Sequence, residues 1–263
     1  MRNYIAIVRK ELHTLFVSPI AYVVLGIFFA VTGYFFYIIL ANVIEFAMQR
    51  AFQSQQFGGG APPPFDAPSA VIRSFFGVLS TILLFLIPMI TMGIFAEEKK
   101  QGTIELLFTS PITHFQLILG KYTSLILFLL VMLVPTISNS ILLYYFSDPP
   151  PPMMTMLMGY LGAFLLGGAL VAVGVFISSV TENQIVAASS TFGVFIILWV
   201  VDASAGAGST LMNEALRYIS VLNHYEDFTK GVLDSQHVIF YLSFIFLGLF
   251  LTSVSLDSGK WRQ

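Results

Sequence analysis

Apolar residues run along this chain in long blocks separated by short polar stretches. The intervals free of Lys, Arg, Asp and Glu are Leu12–Ile44, Ser74–Ala96, Tyr122–Ser147, Pro149–Thr181, Asn183–Val201 and Ser235–Leu256. A helix needs about 20 apolar residues to cross roughly 30 Å of hydrocarbon at ~1.5 Å per residue. Six intervals have that length, so spans are expected near 20–42, 74–96, 122–146, 157–178, 184–202 and 238–256. Backbone inside a bilayer must satisfy its own hydrogen bonds, which makes these spans helices. Ahead of them, Ile5, Val8, Leu12, Leu15 and Phe16 recur at helical spacing, with Arg9, Lys10 and His13 on the other side. Residues 1–18 therefore read as an amphipathic helix lying in the interface. Ser18-Pro19 ends it, because the residue before proline avoids the helical region.

Composition agrees with this pattern. Hydrophobic residues make up 57 % of 263 residues and charged residues 10 %, where a soluble domain carries about 25 %. A soluble globular domain and a disordered chain are excluded. A net charge of −2 leaves no basic footprint for nucleic acid. The absence of cysteine excludes a disulfide scaffold, a thiolate metal site and a cysteine nucleophile. With the N-terminus inside, the inner segments hold Arg2, Arg9, Lys10, Lys99, Lys100, Lys121, Lys260 and Arg262, against Arg50, Arg73, Arg217 and Lys230 outside. The positive-inside rule thus favours both termini in the cytoplasm.

Within the spans, Pro88 and Pro135 each remove a backbone hydrogen bond and are expected to bend their helices. Ser138-Asn139-Ser140 could bond the freed carbonyls or a neighbouring helix. Gly159, Ala163 and Gly167 form a stripe of small residues that lets helices approach closely, within one chain or between two. Phe57 to Pro64 and Asp148 to Pro152 read as glycine- and proline-rich linkers.

No ionisable residue lies deep in a span, which argues against an ion-coupled carrier or an intramembrane active site. There is no Walker lysine loop, no His-Glu-x-x-His and no Gly-x-Ser-x-Gly, so no catalytic residue and no metal ligand is expected. His13, His114, His224 and His237 are far apart in sequence and each reads as an interfacial polar residue.

The most informative segment joins the second and third spans, 97–113. Glu97, Glu98, Lys99, Glu105 and their neighbours give it charge, and Gly102 permits a sharp turn. Thr103 can cap a short helix whose Ile104, Leu107 and Phe108 share a face and which Pro111 ends. Thr113 and Gln116 then form a capping box that opens the third span, with Ile112 and Leu117 as its staple. An apolar stripe on a short cytoplasmic helix suits a groove on a partner.

The run Leu86-Ile87-Pro88-Met89 through Phe95-Ala96-Glu97-Glu98-Lys99-Lys100-Gln101-Gly102-Thr103-Ile104-Glu105-Leu106-Leu107, then Ser110-Pro111-Ile112 and Leu119-Gly120-Lys121-Tyr122, resembles the signature of ABC type-2 permeases, the membrane subunits of ATP-binding-cassette exporters. The tail, His224-Tyr225-Glu226-Asp227-Phe228 with Gly231-Val232-Leu233-Asp234, is similar to the GldF-like, gliding-motility-associated branch. The resemblance implies an all-α integral membrane protein with six transmembrane helices, an N-terminal elbow helix and a coupling helix at 97–113. It implies an outer re-entrant region at 203–237, where Leu211, Leu216, Ile219 and Leu222 fit a short membrane-dipping hairpin. It makes Glu97, Glu98, Lys99, Gly102, Thr103, Ile104, Glu105, Leu107, Phe108 and Pro111 the residues that couple to a separate ABC ATPase subunit. ATP and Mg would sit on that partner and no cofactor in this chain. A second permease chain, identical or not, and an auxiliary membrane subunit with an outer domain complete the implied complex in a bacterial cytoplasmic (inner) membrane. The expected function is ATP-driven transport; the alternative is transmission of ATPase-driven motion to an outer partner without cargo.

Overall fold

The amphipathic start of the chain is helical. Helix α1 runs Arg2–Val17 and stops at Ser18, and α2 opens on Pro19 and continues to Gln56. These observations come from a computed structural model that describes residues 2–56, 65–103, 113–205, 218 and 220–259. Proline suits the first helical position, where its missing N–H is no loss. The chain continues through α3 (Ala67–Thr91), α4 (Ala96–Lys100), α5 (His114–Phe146), α6 (Met153–Val180), α7 (Gln184–Ala205), α8 (Val221–Thr229) and α9 (Ser235–Gly259), with no strand among the described residues. Among the described residues six helices are long and apolar enough to cross a membrane: α2, α3 continuing into α4, α5, α6, α7 and α9.

Two of the spans open on side-chain caps, and both reach beyond their apolar intervals. Asp66 Oδ1 accepts the Ser69 N–H at 3.1 Å and opens α3. The capping box is present: Thr113 Oγ1 accepts the Gln116 N–H at 3.3 Å, and Gln116 Oε1 accepts the Thr113 N–H at 3.5 Å. Helix α2 passes Glu45 and Arg50 without breaking. Gln49 donates to Glu45 at 3.2 Å, and the Arg50 guanidinium lies 5.1 Å from the Phe46 ring centre. Charge ends the apolar interval there but not the helix. Pro88 and Pro135 sit inside α3 and α5, which continue through them. Ser140 reaches Tyr160 on α6 at 3.0 Å, while Ser138 donates to the Pro135 carbonyl at 2.7 Å.

The expected apolar face of α1 packs except at its start: Leu15 and Phe16 lie against the core, and Ile5 is 63 % exposed. The residues of α1 that are fully buried are Ile7 and Glu11, which the apolar spacing did not single out. Gly120 on α5 comes so close to Ile7 that an added Cβ would sit 2.6 Å from its Cγ2, which fixes this face against α5.

Helix α6 is the hub. Its most apolar window is 72 % buried, against 17 % for α7 and for α9, which leaves those outer helices to face lipid or another chain. Close approach explains its small residues. A Cβ on Gly159 would meet Phe76 of α3 at 2.1 Å, one on Gly167 would meet Leu129 of α5 at 2.6 Å, and Ala163 between them is fully buried. These contacts lie within the chain.

Candidate functional site

The loop after α3 is held at its root by α6. The Ser178 hydroxyl accepts the N–H groups of Phe95 and Ala96, both at 3.2 Å, and donates to the Met92 carbonyl at 2.9 Å. One hydroxyl so uses its donor and both acceptor positions to fix the turn between α3 and α4. Lys99 Nζ donates to the Ser179 carbonyl, which also accepts Ser255 Oγ of α9 at 3.1 Å.

The same root carries a buried ion cluster. Lys121 on α5 is 1 % exposed, and its Nζ lies 3.1 Å from Glu11 Oε1, 2.9 Å from Glu98 Oε1 and 2.9 Å from the Ile94 carbonyl. Lys10 approaches the same two carboxylate oxygens from the surface, at 3.0 and 3.1 Å. Burial disfavours the Lys10 charge, but Glu11 and Glu98 outweigh it and hold its pKa above the ordinary lysine value. Glu98 Oε2 is buried without a partner among the described residues. The cluster ties α1, α4 and α5 together. Tyr4 Oη adds a bond to Thr123 Oγ1 at 2.8 Å between α1 and α5.

Of the residues expected to couple, Glu97, Glu98 and Lys99 lie on α4. Glu97 accepts from Gln101 at 3.1 Å. Gly102 has φ +69°, a left-handed conformation that glycine adopts without a Cβ penalty. Thr103 Oγ1 donates back to the Glu98 carbonyl at 3.2 Å. Ile104, Glu105, Leu107, Phe108 and Pro111 lie outside the described residues. Reading the sequence alone missed Glu11, Lys121 and Ser178. The available signal was an acid four residues after Ile7, on the same side of α1, and a lone lysine opening an apolar run after Gly120.

Three cavities follow one another along α3. The one at the Glu98 end, about 540 Å³, joins Glu98 and Lys121 to Met89, Ile90 and Ala21. The middle one, also about 540 Å³, is a largely apolar groove between Ile27, Val31 and Phe35 of α2 and Val78, Ile82 and Phe85 of α3. The one at the Arg73 end, about 470 Å³, is polar and includes Arg73, Asp202 and Lys230; it shares Ser74, Gly77 and Thr81 with the groove. Helix α7 borders the other side of α3, where Phe192 meets Phe85 at 5.2 Å between ring centres. One exposed strip of α3 between α2 and α7 thus runs from charged to apolar to polar surroundings.

At the far end two of the histidines come together. His224 and His237 are 13 residues apart, yet their Nδ1 atoms are 2.6 Å apart. His237 Nε2 lies 3.0 Å from Asp227 Oδ2, and His224 Nε2 lies 3.2 Å from the Tyr218 carbonyl. The turn at Lys230 to Asp234 folds α9 back on α8 and makes this pair. Burial, the largest effect, holds His224 below the ordinary histidine value. At Asp227 burial works to raise the pKa, but hydrogen bonds from Lys230 and His237 outweigh it and hold the carboxyl low. Among the described residues no group of three or more His, Asp or Glu is arranged to hold a metal ion. Leu222 lies on α8, while Leu211, Leu216 and Ile219 fall outside the described residues.

Comparison with known proteins agrees with this architecture. The model of the ABC-2 family transporter proteins matches residues 5–256. The "Probable multidrug ABC transporter permease YbhR" of Escherichia coli (strain K12) is 24 % identical over 177 residues, covering 65 % of this chain and 45 % of that protein. The protein of the same name from Escherichia coli O157:H7 matches to the same extent. The chain thus spans less than half the length of the curated relatives it matches.

Proposed function

The chain belongs to the ABC-2 transporter family, and from that premise we propose that it is the membrane permease subunit through which a separate ABC ATPase drives transport. ATP and Mg bind the partner, and this chain transmits the work. The observation that carries the reading is the tie at the root of the loop after α3. Lys121, Glu11 and Glu98 join α1, α4 and α5, and Ser178 joins the same turn to α6. A push on residues 97–113 is then delivered to α1, α3, α5 and α6 together. In this reading α1 is the elbow helix, both termini are cytoplasmic, and the segment 97–113 docks on the ATPase.

The strip of α3 between α2 and α7 is the working face, turned towards a second permease chain. Its middle is apolar and its ends are polar, which suits an apolar or amphiphilic cargo. The tail motifs support a place in the gliding-associated, GldF-like branch in a bacterial inner membrane, with an auxiliary membrane subunit contacting the outer segments.

The test is reconstitution. The chain, co-expressed with its candidate ATPase and placed in proteoliposomes, should hydrolyse ATP and move an amphiphile across the bilayer, while the chain alone should bind no nucleotide. ATP hydrolysis that only rearranges an outer partner, with no cargo moved, would establish the motion-transmitting alternative instead. Specific nucleotide binding by the single chain would defeat both.

A further inference from the structure

His224 and His237, at the far end from the ion cluster, have a proton count that their geometry fixes. The Tyr218 carbonyl can only accept, so His224 Nε2 carries a hydrogen to make its 3.2 Å contact. The Asp227 carboxylate also accepts, so His237 Nε2 carries one as well. The 2.6 Å approach of the two Nδ1 atoms needs one hydrogen between them. With none, two lone pairs face each other, and with two, the hydrogens collide. Three hydrogens on the four ring nitrogens amount to one positive charge.

We propose that His224 and His237 form a proton-binding latch, in which a single shared proton, balanced by Asp227, fastens α8 to the start of α9 and is released by either loss or gain of one proton. The Asp227 carboxylate contacts the His237 ring, while His224 is 4 % exposed and packed at a tilt against Phe240, ring centres 4.0 Å apart. Burial holds the His224 pKa low. The other charged groups at this end are Glu226 and Lys230, which pair at 3.0 Å, and Lys230 also reaches Asp227 Oδ1 at 3.1 Å, on the carboxylate oxygen that His237 does not use. Asp202 of α7 accepts from Ser220, Asp234 caps α9 through the Gln236 N–H, and Arg73 of α3 lines the polar cavity. Helix α6, on which α8 packs, carries no charged residue or histidine. Asp227 is therefore the counter-charge that touches the pair.

When the proton leaves, one of the three contacts must fail, and when a second arrives, the Nδ1 contact must open. The latch so closes only within a pH window. Which compartment sets that pH rests on the topology proposed above; the latch itself does not.

The test uses the full chain, labelled with ¹⁵N-histidine, in lipid nanodiscs without any partner. Nitrogen and proton spectra across a pH series should show one strongly deshielded proton coupled to two Nδ1 atoms. That signal should disappear at both ends of the series, and the hydrogen-exchange protection factors of Val221–Thr229, taken relative to the intrinsic rate at each pH, should be highest where it is present. Asp227→Asn, at a half-exposed position where the fold is expected to survive, should move the alkaline edge of the window to lower pH. A pair that shows two ordinary neutral tautomers at every pH, or an Asp227→Asn window unchanged from the native one, would overturn the proposal. Neither result bears on whether the chain works with an ATPase.

Discussion

Replacing Lys121 by methionine removes the ammonium from a site that is 1 % exposed and keeps most of the side-chain volume. Glu11, itself buried, and Glu98, 14 % exposed at its side chain, then lose their buried partner, and the Ile94 carbonyl loses its donor. Breaking a buried pair from one side costs about 3–5 kcal/mol, because the remaining charge stays buried and uncompensated. Lys10 still reaches both carboxylates from the surface, so the lower end, about 3 kcal/mol, is expected. The same truncation at Lys10, whose side chain is 57 % exposed, should cost only about 0–1 kcal/mol. A domain near this size shifts its melting point by about 2–4 °C per kcal/mol. Thermal unfolding of the purified chain in nanodiscs should therefore fall by about 6–12 °C for Lys121→Met and by no more than about 4 °C for Lys10→Met. The triple change Glu11→Leu, Glu98→Met and Lys121→Met should regain much of the loss, since apolar groups of similar volume often replace a buried ion cluster without penalty. Equal shifts for Lys121→Met and Lys10→Met, or a triple variant less stable than Lys121→Met, would refute the reasoning.

Single cysteines at Gln53, Gln101 and Ser235, all exposed in a chain that has no cysteine of its own, should report topology; impermeant reagent on intact cells should label the first and last and spare Gln101. Gly102→Val puts a β-branched residue at φ +69°, at about 1–2 kcal/mol, and should lower partner-stimulated ATP hydrolysis, while Gly33→Ala, with open space around an added Cβ, should leave it unchanged. Gly159→Ala drives a Cβ to within 2.1 Å of Phe76 and should destabilise by about 1–3 kcal/mol in a thermal scan, whereas Gly193→Ala, which meets nothing, should be neutral or stabilising. Acid should loosen α8. His224 and Asp227 both have depressed values in the folded chain, so the unfolded chain binds more protons, and the hydrogen-exchange protection factors of Val221–Thr229 should drop as pH falls below about 6.5 and again in the carboxylate range.

What the sequence determined is what acts within a few turns of helix. Six apolar intervals became six membrane-length helices, because hydrocarbon thickness sets a length that composition alone reveals. The break at Ser18-Pro19, the capping box of Thr113 and Gln116 and the turn at Gly102 are each made by neighbours in the chain, so residue types announce them. Helix ends beyond the apolar intervals were less legible, since Glu45 and Arg50 leave the lipid without leaving the helix. Only the tertiary structure could show that Lys121 meets Glu11 across 110 residues, because that contact depends on α1 closing onto α5 at Gly120. The pairing of His224 with His237 depends in the same way on the fold of one turn, and the strip of α3 on the space left between α2 and α7. Periodicity names which side of a helix is apolar. It does not say which neighbour arrives there, since helix crossings are set by packing summed over the whole bundle, and a charge on an apolar side is marked locally while its partner across such a crossing is not.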